Sequence, residues 1–369
     1  MLPKISDIIA FFESEYTDIR KQSQWDFSGP QIYTGDRQVR RVALSLDPDK
    51  SSIKNAIEKG CELLITHHPL FFRDSKGIIY SKSTDSKAIE AIRAGLDILS
   101  YHTNIDMAPE GTNFYIRQLL NGEKEDGYIS QEGVAEIYKF SVFVPYDYKE
   151  QIIDALRKSG AGKQGNYSGC GFMSEGVGMF TPNDKATPFI GEAGVGEIVD
   201  EVKIETIVEK HLLPTVLNGV LEVHPYEEPA YDIIKLENSL SYGIGEICRL
   251  NQEYNLPTFV SFLKEKLNTN DIRSNIEDVP PFSRIGICTG SGASLWKDCL
   301  KKGVKVLLTG DMKYHDALDA AEAGVCIIDA GHQATEEIYL DYLSDVLKSK
   351  FNIEIYVYKR KKQIISWGI

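Results

Sequence analysis

Paired cysteines are missing from this 369-residue sequence. Its six cysteines (Cys61, Cys170, Cys248, Cys288, Cys299 and Cys326) are scattered, with no C-x-x-C pair among them. That argues against a disulfide scaffold and against a thiolate zinc site, and makes a reducing cytoplasm the expected compartment. The sequence also lacks any run of about 18 apolar residues, so no transmembrane helix is expected. The opening segment MLPKISDIIAFFESEYTDIR carries acids within its apolar stripe and has no small-residue cleavage site. It reads as a first amphipathic helix and not as a signal peptide. Positive charge is in deficit: 41 Lys and Arg against 54 Asp and Glu give 41 − 54 = −13. Nucleic acid binding through a general electrostatic footprint is therefore not expected, because that mode needs a basic face to displace counterions. The one dense basic run, Lys359-Arg360-Lys361-Lys362, reads as a solvated strand edge or tail.

What remains is ordinary globular material, 42% hydrophobic and 26% charged, which excludes whole-chain disorder, collagen-like repeats and a coiled-coil rod. The length predicts two to three domains. Strands are expected at Arg40–Asp47, Cys61–Thr66 and Leu96–Tyr101, alternating with helices near Ser52–Lys59 and Thr84–Arg93. That alternation predicts βαβ units and a mostly parallel sheet. The middle of the chain changes character. A strand (Lys139–Val144), a helix (Tyr148–Lys158) and a glycine-dense stretch from Gly160 to Gly178 come first. A strand near Val199–Ile207, a helix around Val208–Leu221 and a strand at Tyr231–Leu236 follow. This is the element count of a small ferredoxin-like α+β domain. After Pro280-Pro281 the α/β pattern returns, with strands at Arg284–Cys288, Val304–Leu308 and Val325–Asp329 and a long helix from about Ala334 to Lys348. The expected fold is thus a split α/β domain, residues 1–133 and 239–369, interrupted by an inserted α+β domain at 134–238. The flanking halves read as one layer divided by the insertion.

Four segments share a layout in which an apolar strand stops at polar residues: LLITHHPLFF (63–72), DILSYHTNIDM (97–107), KVLLTGDMKYH (305–315) and VCIIDAGHQATEE (325–337). In open parallel sheets ligands collect outside the carboxyl ends of the strands. Of seven histidines, five (His67, His68, His102, His315 and His332) fall in or just after these strand ends. His67 and His68 are adjacent, so their side chains diverge on a regular strand, and one imidazole can serve each of two neighbouring ions. His332 and Glu336 are spaced i,i+4 at the entry to a helix and share one face. With Asp106 they make the metal set His67, His68, Asp106, His332 and Glu336, in which Glu336 is suited to bridging. Mixed imidazole and carboxylate ligands suit zinc, iron, manganese or cobalt. Five protein ligands shared by two ions leave positions open for water, as catalytic sites do.

The motifs THHPLFF, SYHTNIDMAPEGTN, TGDMKYHDALDAAEAGV and AGHQATEE jointly resemble the dinuclear-metal family of GTP cyclohydrolase 1 type 2 homologs, also called Nif-three-like proteins. The resemblance extends to PFIGEAGVGEIVDEVKIE and VHPYEEPAYDI, which are similar to the PII- or CutA-like insertion of the longer bacterial members. It implies the same five ligands, two divalent transition-metal ions per chain, a toroidal homohexamer, and His102 as a neighbour of the metals or a substrate contact. Where the family has an Asp-Asn pair, this chain has Trp25-Asp26-Phe27-Ser28-Gly29-Pro30.

Two functions follow as expectations. The first is a metal-dependent hydrolase, in which metal-activated water attacks a nucleotide ring or related substrate. On the family reading the electrophile is C8 of GTP, opened with loss of formate, and His102 or His315 is the candidate proton shuttle. The second is a non-catalytic metal-dependent scaffold or sensor whose insert binds partners or a small regulator. Other polar motifs have plainer readings. Gly290-Ser291-Gly292 reads as a tight turn in preference to a phosphate nest. His224-Pro225-Tyr226-Glu227-Glu228-Pro229 reads as a rigid loop entering the strand at Tyr231, in preference to a ligand cluster. His211 reads as a helix-surface residue, and Tyr314 as metal-facing or packing.

Overall fold

The structure, a computed structural model, describes residues 2–16, 23, 25–72, 79, 81–165 and 167–360. Its contacts divide the chain into two compact units: Met1–Gly133 with Tyr242–Ile369, and Val134–Ser241.

The larger unit is built on two sheets. The first has the order β1 (Gly29–Ile32), β4 (Asp97–Ser100), β3 (Leu63–Thr66), β2 (Arg41–Ser45) and β13 (Glu354–Tyr358). Strands β4, β3, β2 and β13 run parallel, and β1 joins its edge antiparallel to β4. In sequence β3 and β4 are short apolar runs without alternation, and every residue of both is buried, as strands covered on both faces require. Asp97, buried within β4, is held by Arg37 at 2.7 Å and by the Thr34 N–H at 2.7 Å. The crossover helix Lys50–Glu58 starts where the Asp49 carboxylate accepts the Ser52 N–H, and the helix Ser83–Ala94 stops at Gly95 in the left-handed region.

The second sheet centres on β10 (Phe282–Ile287), β11 (Val306–Thr309) and β12 (Cys326–Asp329), which are parallel. It is flanked by antiparallel β9 (Arg273–Ser274) and by the far end of β8 (Tyr231–Tyr254). The split α/β region therefore forms two sheets, not the single divided layer read from the sequence, and β13 from its second half joins the first sheet. Element order along the chain does not say which strands pair.

The smaller unit takes Ile137–Pro145 of β5 (Gly122–Pro145), which pairs antiparallel with β7 (Glu197–Glu209). Strand β7 in turn pairs antiparallel with β6 (Gly171–Phe180). Helices Lys149–Lys158 and Leu213–Val223 cover one face, and the start of β8 closes the series. Phe140, Val142, Val144, Ile204, Val208 and Val216 form its separate core.

Three boundaries differ from the sequence reading. Strand β7 runs on through Glu209 because Val202, Ile204, Thr206 and Val208 keep a two-residue burial alternation; the helix begins only at Leu213, with Pro214 in its first turn. The glycine-dense stretch becomes strand from Gly171 onward. The long C-terminal helix starts earlier, as His332–Glu336, and resumes as Tyr339–Lys350. Its apolar stripe marks only the turns that face the core, while the first turn faces polar neighbours. Of the N-terminal helix, Ile5–Ala10 is α-helical and Phe11–Tyr16 is a wider π-helical turn; residues 17–20 lie outside the described part. Lys361 and Lys362 of the basic run also lie outside it, whereas Lys359 and Arg360 pair with Asp341 and Asp49.

Candidate metal centre

Strand β3 ends at Thr66, whose hydroxyl donates to the His68 carbonyl at 2.8 Å and so turns the chain at the two histidines. The turn sends the imidazoles apart. The His67 Nδ1 meets the Tyr101 carbonyl at 3.1 Å, and the His68 Nδ1 meets Asp47 Oδ1 at 2.7 Å. His332, at the start of its helix, places Nδ1 2.7 Å from Asp311 Oδ2. His102, after β4, places Nδ1 2.8 Å from Asp26 Oδ1. Each partner is a carbonyl or a carboxylate, which only accepts. Every Nδ1 therefore carries its hydrogen, and in the neutral ring every Nε2 presents a lone pair.

Those Nε2 atoms converge. His68 Nε2 and His332 Nε2 are 3.2 Å apart, and Glu336 Oε2 lies 3.1 Å from the first and 2.9 Å from the second. His67 Nε2 is 3.7 Å from both Glu336 Oε1 and Asp106 Oδ1. The His102 ring is centred 5.1 Å from that of His67 and 5.4 Å from that of His68. Among the described residues, ligand-capable atoms fall into two groups, His67 with His68 and His102, and His68 with His332 and Glu336. Asp106 meets the cluster through His67 and is itself fixed by the Thr112 hydroxyl at 2.5 Å. Thr112 in turn bonds Thr289 at 2.7 Å.

These residues fit a bound cation. His67 Nε2 and Glu336 Oε2 are buried yet make no hydrogen bond among the described residues; the short contacts of Glu336 Oε2 are approaches of charge, not aligned bonds. Two neutral imidazole lone pairs 3.2 Å apart repel unless something positive lies between them. The electrostatics agree. Burial would lower the imidazole pKa values, but the carboxylates of Asp47 and Glu336 push His68 up to about 10, and those of Glu336 and Asp311 push His332 up to about 9. Burial likewise opposes ionisation of Glu336, and His67, His332 and His68 outweigh it, holding the carboxyl well below the usual range. Asp106 is pushed up by burial and by Glu336, against the pull of His67. The pocket favours positive charge, supplied by protons or by metal ions.

Gly290 adopts φ +66°, and a Cβ there would collide with Glu336 Oε1. Its amide donates to Thr335 Oγ1 at 3.1 Å, and that of Gly292 to Thr309 Oγ1 at 3.0 Å. The Gly290-Ser291-Gly292 segment is therefore a tight turn fitted against the cluster, with both glycine amides engaged and not offered to a phosphate.

The structure does not bring His315 to the cluster. It is exposed on the helix Tyr314–Glu322, its ring beside that of Tyr314, which is 76% exposed. His224 uses both nitrogens locally: Nδ1 accepts the Tyr226 N–H at 3.0 Å, and Nε2 donates to the Phe143 carbonyl at 3.0 Å. That is the rigid-loop reading. His211 sits in a short 3-10 turn, half-buried, 3.7 Å from Glu209, and is not on a helix surface. Sequence reasoning missed Asp26, Asp47 and Asp311, which fix three of the imidazoles. The signal was present: Asp47 and Asp311 also follow strand ends, and Asp26 lies in the segment that departs from the family pattern.

Fold and site together define a mixed α/β protein with His and Glu groups placed to bind metal ions. The family described as Duf34/NIF3 (NGG1p interacting factor 3) matches residues 3–364, and the chain belongs to that family. It is 35% identical over 356 residues to a GTP cyclohydrolase 1 type 2 homolog of Bacillus subtilis, covering 95% of each chain. It is 33% identical over 353 residues to one of Staphylococcus aureus, covering 95% of this chain and 94% of that one. Among solved structures, a Bacillus cereus protein related to NIF3 superimposes with a TM-score of 0.83 at 31% identity, covering all of both chains. Among the described residues no helix is long and apolar enough to cross a membrane.

Proposed function

We propose that this chain holds two divalent transition-metal ions (zinc, iron, manganese or cobalt) among His67, His68, Asp106, His332 and Glu336, and is a metal-dependent hydrolase acting on a nucleotide or related substrate. The observation that carries the reading is the convergence of Nε2 atoms on the buried Glu336 carboxylate, each imidazole fixed from behind through Nδ1. Ions held there would supply an acidified water as nucleophile near neutral pH. The protein's own part is to keep the imidazoles in the ligating tautomer through Tyr101, Asp47 and Asp311, to set His102 alongside, and to present the Glu336 carboxylate, which would help hold the ions. His102, held through Nδ1 by Asp26, keeps Nε2 as the proton acceptor beside His67 and His68. The substrate class rests on the names of the relatives, GTP cyclohydrolase 1 type 2 homologs.

The reading extends to a toroidal homohexamer, a cytoplasmic location consistent with six free cysteines, and a ferredoxin-like, PII/CutA-like character for the smaller unit. Its strand-helix-strand, strand-helix-strand order supports the last point. A scaffold or sensor is the second reading. It is favoured by the tight enclosure of two ligands, His67 and Glu336, which are 5% and 4% exposed.

Glu336→Gln separates the two. The change removes a negative charge from between two cations while nearly keeping shape, so at least one ion binds more weakly. For a hydrolase, turnover in a nucleotide screen falls by orders of magnitude with the fold intact. For a scaffold, no turnover exists to lose, and the loss appears as a lower melting temperature or ring dissociation. Unchanged metal content in the variant would remove Glu336 from the ligand set.

A further inference from the structure

The smaller unit contains a cavity of about 390 Å³, within the size range of small-molecule sites. Its wall is aromatic. Phe180 packs edge-on against Tyr226 at 5.7 Å between centroids, and Phe189 lies 6.4 Å from the same ring, tilted by 53°. Phe143 adds a fourth ring. Two sequence motifs build it, the one opening PFIGEAG and the one opening HPYEEP, and the function proposed above uses neither. The loop carrying Phe189 is tied down where the Thr187 N–H donates to Glu227 Oε2 at 2.9 Å. Tyr226 is set by His224, whose Nδ1 accepts its N–H.

The charge in this cavity is unbalanced. Glu201 lines it, receives the Tyr226 hydroxyl at 2.9 Å, and has no ion-pair partner among the described residues. Lys203, the next residue on the same face of β7, is already engaged by Glu205 at 2.7 Å. Room for the Glu201 carboxylate exists because residue 178 is glycine: a Cβ there would collide with it. Glu227 and Glu228 also line the cavity, against a single ammonium from Lys185. A half-buried carboxylate without an ion-pair partner among the described residues, in a cavity lined by aromatic rings, matches an organic cation, which gains cation–π attraction and a counter-charge together. An anionic ligand would meet three carboxylates against the ammonium of Lys185, with that of Lys203 lying over the Phe143 ring at 5.7 Å and held by Glu205.

We propose that this cavity is a binding site for a small organic cation, an amine or quaternary ammonium, held by the rings of Phe180, Phe189 and Tyr226 and the carboxylate of Glu201. The proposal does not depend on the metal centre, whose residues all lie in the other unit. The test is calorimetric titration of the full chain with phenyltrimethylammonium and choline, using 3,3-dimethylbutan-1-ol as the uncharged isostere of choline. Saturable one-to-one binding of a cation is expected, at least about tenfold tighter than the alcohol, and weakened at least about tenfold by Glu201→Gln. Gly178→Ala should crowd Glu201 and weaken binding as well. Unchanged metal content in both variants reports that the rest of the chain is intact. No saturable cation binding, equal binding of the alcohol, or preferential binding of inorganic phosphate each overturns the proposal. If Glu201→Gln fails to fold, the contrast between cation and alcohol in the wild type decides the matter alone.

Discussion

Asp47, Asp26, Asp311 and the Tyr101 carbonyl show how much of the site lies behind the candidate ligands. Each fixes one imidazole by a bond to Nδ1, so that the other nitrogen faces inward. Asp311 does this from a left-handed backbone conformation, φ +53°, a strained geometry that Asp tolerates better than most residues. The same carboxylates give the metal-free protein a particular pH dependence. Burial would lower the His68 and His332 pKa values, yet the neighbouring carboxylates raise them from the ordinary 6.5 to about 10 and about 9. Folding therefore takes up protons between these values. The stabilisation is complete below a pH of about 6.5 and is lost as pH rises through about 9 to 10. The melting temperature of chelator-stripped protein should fall across that interval, while metal affinity rises across it because metal displaces the protons. Melting curves with and without metal, taken over the same pH series, check both slopes. A flat metal-free profile would mean that the imidazoles are not charged there.

At the scale of elements, the candidate ligands lie where strands end and short helices follow, and that placement could be read from the sequence. Buried strands have little choice of composition, so LLIT, DILS, VLLT and CIID announce themselves, and the polar residues that follow them must lie at the sheet's edge. The failures have the same root. His315 shares a strand-end segment with Asp311, but four residues further on the chain has entered a helix and turned the side chain to solvent. Pairing between sheets, the start of the last helix and the length of β7 depend on partners distant in sequence. Gly290 was read as a turn glycine, but its tight fit against Glu336 needs coordinates. Gly290→Ala adds about 1–2 kcal/mol of left-handed strain and drives a methyl into Glu336. Metal affinity should fall by about 10- to 100-fold, as when the support of a ligand is lost, with the circular dichroism spectrum preserved. Titration of stripped variant and wild type with zinc measures it; equal affinities would show that Glu336 has room to move.

At the scale of the whole molecule, each unit has its own core. Among the described residues, each apolar cluster of buried residues lies wholly within one unit. The chain beside the two cuts runs close: a Cβ on Gly243 would collide with the Ser130 carbonyl oxygen. Replacing Val134–Ser241 by a short glycine-rich linker should leave a folded remainder that keeps the metal content of the full chain, because every proposed ligand lies outside the excised span. An insoluble or metal-free product would show that the smaller unit is needed to complete the larger one.

The central claim is that the convergent imidazoles and Glu336 hold two ions. Elemental assay of the wild-type chain, purified without chelator and then reconstituted, tests it most directly. Close to two transition-metal equivalents per chain are expected, with anomalous scattering placing the ions about 3.5–4 Å apart as in other two-metal sites. Absence of metal in the purified protein, together with no uptake on reconstitution, would contradict it.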